Sequence, residues 1–209
     1  MPEDNKKMVA VVVRHGSTIL NENNSFRGRT DPPLDDKGIK QAYDAAEALR
    51  DAEIKPERIV SSPLLRAFQT AEIFADEFGL DIEQERNLGS WNLGFLSGKD
   101  RDEYEEVLNY FVDNPKSTVP EGESLDSLEQ RTFEYFDKEL KKSKLTLFVS
   151  HNSNIVTLET LVKGDKAGRP ESSETSVLPG GVMGIYVDSE GKYSTEVLFG
   201  KEREAEYGS

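Results

Sequence analysis

The chain has 209 residues, with 26 basic residues against 40 acidic ones, a net charge of −14, two histidines and no cysteine. That length suffices for one domain with a substantial core, or for one domain carrying an inserted cap. The negative charge repels nucleic-acid phosphates and excludes a general nucleic-acid binder, and the lack of cysteine excludes disulfides and thiolate chemistry. With no apolar run of membrane-spanning length and a polar start at residues 1–7, the composition points to a cytoplasmic protein with no membrane partner.

In chain order, residues 8–13 read as a buried strand, a Met-Val-Ala-Val-Val-Val run that ends abruptly in Arg14, His15 and Gly16. A cation and an imidazole at the carboxyl end of a strand stand where open α/β sheets bind ligands. Residues 17–34 are polar and punctuated by Gly and Pro, a loop long enough to be functional. Ile39, Ala42, Tyr43, Ala46 and Leu49 recur at helical spacing, which predicts a helix from Asp36 to about Ala52 with Asp35 or Asp36 as N-cap. A short strand at 57–61 leads into the clearest helix. Ser62 is its predicted N-cap, Pro63 its first residue and Gly79 its stop, and Leu64, Ala67, Phe68, Ala71, Phe74, Ala75 and Phe78 form its apolar stripe. Arg66 lies in the first turn, where free amides and the helix dipole favour an anion.

Further along come a short strand near 81–84, a Gly-rich segment at 88–98, an acidic helix over about 100–112 and a Pro-bearing connection to Gly122. A helix over 124–141 places Leu125, Leu128, Phe136 and Leu140 on its buried side. The strand at 145–150 ends at the second histidine, His151, and feeds a helix over 153–162. Residues 163–176 are polar and read as a mobile loop; strands at 182–187 and 193–199, joined across 188–192, precede a charged tail. Strands alternating with helices predict a largely parallel sheet covered on both faces. If the strands ending in His15 and His151 are neighbours, the two imidazoles converge on one crevice, to which Arg14 adds a permanent positive charge. No cluster of histidines and carboxylates stands at metal-ligand spacing.

The motif Arg14-His15-Gly16-Ser17-Thr18 with Asn21 opens a longer pattern: Phe26-Arg27-Gly28, Asp31, Leu34, Gly38, Gln41-Ala42, the run from Ser61 to Ala71 around Arg66, Gly122-Glu123-Ser124, and Ser150-His151. In order and spacing, over residues 9–155, this resembles the histidine phosphatase superfamily, also called phosphoglycerate mutase-like. The resemblance implies an α/β fold, a three-layer α/β/α sandwich with a mostly parallel central sheet and a small helical insertion. Residues 1–209 would form a single domain with a cap at about 85–123. It further implies a phosphatase that needs no metal or cofactor and acts on a small phosphorylated substrate. His15 would be the nucleophile, forming a phosphohistidine that water then hydrolyses. Arg14, Arg66 and His151 would surround the phosphoryl oxygens, and Thr18 and Asn21 would assist phosphate binding. Arg27 and Arg29 are candidate contacts to the rest of an anionic substrate and, equally, candidate solvated loop arginines. Two alternatives stand beside this one: a phosphoglycerate mutase-type phosphoryl transferase, and a regulatory phosphate-binding domain with weak turnover. The mutase alternative is weakened by the acidic stretch at 100–106, where mutases of this family carry a longer basic segment.

One departure from the family pattern concerns proton donation. Relatives carry a glutamate that protonates the leaving oxygen, just ahead of a Gly-x-x-x-Gly segment that follows the second arginine. Without gaps that position falls on Ser90, which is not acidic enough; a gapped alternative puts Glu85 there. His151 is followed by Asn152, where acid-phosphatase relatives place an aspartate donor.

Overall fold

Strand β1 (Lys7–Arg14) forms where the valine run predicts it, and Ala10 to Val13 are buried on both faces. The structure, a computed structural model, describes residues 6–163 and 177–201. Among these, β1 joins β2 (Arg58–Ser61), β3 (Ile82–Gln84), β4 (Thr146–Ser150), β5 (Val177–Val187) and β6 (Tyr193–Lys201) in one sheet of order β3-β2-β4-β1-β5-β6. The strands from β3 to β1 run parallel, whereas β5 is antiparallel to β1 and β6 to β5. The turn between β5 and β6 is too short for a crossover, so these two strands can pair only as a hairpin. β5 starts at Val177, ahead of the predicted 182, and its pairing with β6 is irregular between Val177 and Val182, where Pro179 and Gly180 break the strand signal.

Alternate residues of β1 feed opposite layers, as the period of two requires. Val11 and Val13 pack with Ala45, Leu49, Ala67 and Phe74 of α2 (Asp36–Asp51) and α3 (Leu65–Phe78). Ala10 and Val12 pack with Phe136, Ile155 and Leu158 of α5 (Leu125–Glu139) and α6 (Asn152–Lys163). Each such fully buried large side chain contributes about 1.5–3 kcal/mol. A third cluster lies off the sheet, where Trp91, Leu93, Leu96, Val119 and Leu108 and Phe111 of α4 (Arg101–Asp113) close over Phe26 and the start of α5.

Several local expectations are corrected. Residues 17–34 contain one helical turn, α1 (Ile19–Glu22), because the side chain of Asn21 folds back onto Thr18. The buried stripe of α2 is rotated from the predicted one: Gly38, Ala42, Ala45, Ala46 and Leu49 face inward, whereas Ile39 and Tyr43 are 41% and 60% exposed. Small residues face inward because the loop after β1 presses on the first turn of α2. A Cβ on Gly38 would lie 2.1 Å from Ser17 O, and one on Gly16 would lie 2.3 Å from Gly38 O, so neither glycine can be replaced without moving backbone. Asp35 caps α2 as predicted, accepting from Gly38 N. α3 starts at Leu65 with Leu64 as N-cap, displacing Ser62 and Pro63 from the predicted roles, while Gly79 ends it in the left-handed conformation as predicted. The predicted loop at 163–176 and the charged tail lie, but for their first residues, outside the described residues.

Candidate active site

β1 and β4 pair in parallel with Arg14 opposite Ser150, so the residues that follow, His15 and His151, leave the sheet side by side. Their ring centroids are 5.0 Å apart. Both rings are 1% exposed, which makes their few polar contacts decisive. Nδ1 of His15 lies 2.7 Å from Gly16 O, and since a carbonyl only accepts, that nitrogen carries the proton. Nε2 accepts from Arg66 Nε at 3.2 Å, so the ring's lone pair is on Nε2. Burial, and then the charges of Arg66 and Arg27, hold the His15 imidazole well below its ordinary value of 6.5, and it is neutral at pH 7.

Arg66 is fully buried and donates to neutral acceptors: His15 Nε2, Thr30 O at 2.7 Å and Gly28 O at 3.0 Å. Burial and the nearby Arg27 pull its value down to about 9, with Asp31 opposing. A buried cation without a carboxylate on its donors is costly and favours the arrival of an anion. The first amide of α3, that of Leu65, is not open to an anion, because Asp31 Oδ1 accepts from it at 2.6 Å. Arg27, half-buried, is lowered to about 10 by burial and by Arg101. Arg14 donates from Nη1 to Val177 O at 3.0 Å.

The remaining predicted residues divide. Thr18 is fully buried and its hydroxyl donates to Asn21 Oδ1 at 3.0 Å; the Thr18 amide donates to the same oxygen at 3.1 Å. Thr18 therefore orients Asn21, whose amide nitrogen is left as the donor available to the cavity that this residue lines. Arg27 lines that cavity as well, but Arg29, 46% exposed, lies 3.5 Å from Glu123 Oε1 and does not. Neither Ser90 nor Glu85 is in the cavity wall. Glu85 caps the 3-10 turn Arg86–Leu88 by accepting from Asn87 N at 2.8 Å. The Ser90 carbonyl is bound by Arg131 Nη2 at 3.1 Å.

The cavity, about 630 Å³, opens between the loop after β1 and helices α4, α5 and α6. His15, Arg66 and His151 do not line it, but Arg14, Asn21, Arg27 and Asn152 do. Across from them α4 contributes Arg101, Asp102, Glu105, Leu108, Asn109 and Val112, one face of a helix by their spacing. Periodicity alone could have selected that face. A second group that sequence reading missed is the clamp on residues 87–90. Arg131 donates to Asn87 O, Gly89 O and Ser90 O and is itself held by both oxygens of Glu123, while Ser150 Oγ donates to Leu88 O. Among the described residues no three His, Cys, Asp or Glu side chains are grouped to hold a metal ion, and no helix is long and apolar enough to cross a membrane.

Residues 10–177 match the family model for the histidine phosphatase superfamily, branch 1. The chain is 34% identical over 160 residues to a probable phosphoglycerate mutase GpmB of Yersinia pestis, covering 73% of this chain and 74% of that one. In fold it resembles a mycobacterial glucosyl-3-phosphoglycerate phosphatase solved with VO3, with a TM-score of 0.77 at 22% identity over 93% of this chain and 100% of that one. It also resembles a phosphoglycerate mutase from Bacillus anthracis, with a TM-score of 0.75 at 23% identity over 93% of each chain. A phosphoserine phosphatase from Entamoeba histolytica, in complex with 3-phosphoglyceric acid, gives 0.75 at 21% identity over 92% of this chain and 95% of that one. At these identities the solved structures speak for the fold, while the family match and the curated relative speak for descent. The chain belongs to the histidine phosphatase superfamily.

Proposed function

We propose that the protein hydrolyses a phosphomonoester through a phosphohistidine on His15. The observation that carries this reading is the state of the His15 ring: buried, neutral, with its proton on Nδ1 donated to Gly16 O and its lone pair on Nε2 beside a guanidinium that lacks a carboxylate on its donors. In the first step Nε2 attacks phosphorus and the P–O ester bond breaks, the leaving oxygen taking up a proton. In the second, water attacks phosphorus, the N–P bond breaks, and inorganic phosphate leaves. Arg14, Arg66 and His151 counter the charge on the phosphoryl oxygens in both steps, and Asn21, oriented by Thr18, donates from its amide nitrogen.

The mutase alternative draws on the name of the curated relative and shares the first step. It differs in the acceptor: a bound phosphoglycerate carries a carboxylate that needs its own cationic grip. The cavity wall sets Asp102 and Glu105 of α4 and Glu129 of α5 against Arg27 and Arg101. That balance favours water as the acceptor.

The test is single-turnover mixing with a labelled phosphoryl donor, with phosphate release and 2-/3-phosphoglycerate interconversion measured together. The expected result is an acid-labile, base-stable protein adduct and phosphate release, both abolished in His15→Ala. Undiminished turnover in that variant removes His15 as nucleophile. Interconversion outpacing release selects the mutase, and tight phosphate binding without turnover across a panel of aryl, sugar and amino-acid phosphates selects the regulatory domain.

A further inference from the structure

Ser62 is fully buried, stands at the end of β2 and does not cap α3. Its hydroxyl oxygen lies 2.8 Å from His151 Nε2 and accepts from Leu64 N at 3.3 Å. Nδ1 of His151 is buried and has no hydrogen-bond partner. Two proton arrangements are open to this pair, and a count of satisfied groups separates them. If Nε2 held the proton and donated to Ser62, the Ser62 hydroxyl hydrogen would have no acceptor and the Nδ1 lone pair no donor, leaving two buried groups unmet. If Ser62 donates to Nε2, the ring proton is on Nδ1 and only that N–H is unmet.

The unmet N–H stands in a region of like sign. Burial, and then the charges of Arg66, Arg27 and Arg131, disfavour a cationic His151 ring. The His15 ring is 5.0 Å away centre to centre. An unpaired donor among cations has a natural partner in an oxyanion. We infer that Ser62 is a positioning residue: its hydroxyl sets the tautomer of His151, so that Nδ1–H is the donor offered to a phosphoryl oxygen at His15. This rests on the proposed phosphoryl site, but the tautomer itself can be read without any ligand. Ser62 thus plays for His151 the part that the Gly16 carbonyl plays for His15, with opposite polarity. The carbonyl pulls a proton onto Nδ1 of one ring; the hydroxyl pushes it off Nε2 of the other.

The chain has only two histidines, so ring-labelled 15N-histidine gives two spin systems, and His15→Asn assigns them. The expected spectrum without ligand shows both rings protonated at Nδ1. In Ser62→Ala, His151 moves to the Nε2–H form or a mixture, and affinity for inorganic phosphate falls about tenfold, the effect of one lost hydrogen bond to a charged group. Ser62→Thr, which keeps the hydroxyl, restores both. A wild-type His151 protonated at Nε2 overturns the inference, as does an unchanged tautomer in folded Ser62→Ala. If Ser62→Ala does not fold, the wild-type tautomer alone decides. If the tautomers are as expected but millimolar phosphate shifts neither ring, the phosphoryl site is misplaced and the role of Ser62 as tautomer-setter stands.

Discussion

Replacing Arg66 with methionine sets two opposed contributions against each other, and their sizes follow from its surroundings. The substitution leaves the carbonyls of Gly28 and Thr30 without their donors, at about 1–3 kcal/mol each when buried. It also removes a buried cation whose value has been pulled down by more than three units, to about 9. At about 1.4 kcal/mol per tenfold that corresponds to roughly 5 kcal/mol. Because the folded value lies below the unfolded one, this cost is present in full below about pH 9 and is relieved only as the pH rises above it, towards the ordinary arginine range. At pH 7 the contributions nearly cancel, so without phosphate Arg66→Met should unfold within about 3 kcal/mol of the parent. Phosphate separates the two proteins. At a hundredfold excess over its dissociation constant it should stabilise the parent by about 2.7 kcal/mol. For a chain of this size that raises the thermal midpoint by roughly 5–10 °C, and the variant should show almost none of the rise. Thermal and urea unfolding with and without phosphate measure both quantities. Destabilisation well beyond 4 kcal/mol, or an undiminished response to phosphate, would refute the reasoning, since either makes Arg66 a structural support instead of a waiting counter-charge.

Further outcomes can be checked alongside it. His15 and His151 are both held well below 6.5 by burial first and by Arg66 second, so the acid limb of kcat/KM should lie below pH 6.5; an inflection at or above that value contradicts a neutral, buried nucleophile. The same depression gives stability that is complete above pH 6.5 and is lost as the pH falls towards the folded values, so His15→Ala should lose less stability than the parent between pH 6.5 and pH 5. The phosphate-induced rise in midpoint should be indifferent to EDTA, because side chains supply all the positive charge proposed for the site; abolition by EDTA would place a metal in it. With Glu85 engaged as the cap of the Arg86–Leu88 turn and the other candidate position a serine, aryl phosphates should outpace alkyl phosphates by about a hundredfold to ten-thousandfold, the usual worth of general acid help. Glu85→Gln should leave that ratio unchanged; a loss confined to alkyl phosphates would identify Glu85 as the donor.

The parts of this protein legible in its sequence are those with local causes. The valine run into His15, the cap of α2 at Asp35, the stop of α3 at Gly79 and the buried side of α5 each follow from neighbours within a turn or two, where periodicity and capping act. The family pattern placed the remaining site residues along the chain. What tertiary structure decided is which of several competing partners each polar group takes. The meeting of His15 and His151 depends on pairing Ala10 with Thr146, far apart in sequence. The packing of β1's loop against Gly38 turned α2 so that Tyr43 faces outward. Ser62 and Glu85 show the same competition with opposite results. A serine before a helix has the N-cap position available, yet Ser62 accepts from Leu64 N and meets an imidazole brought in by β4, while Leu64 holds the cap position. A glutamate near a family motif has a catalytic role available, yet Glu85 finds the Asn87 amide first. Arg27 and Arg29, two residues apart and indistinguishable by type, separate because Glu123 lies beside one and not the other. A hydroxyl, carboxylate or guanidinium has many possible partners within reach of its own segment, and burial among distant segments selects the few it keeps.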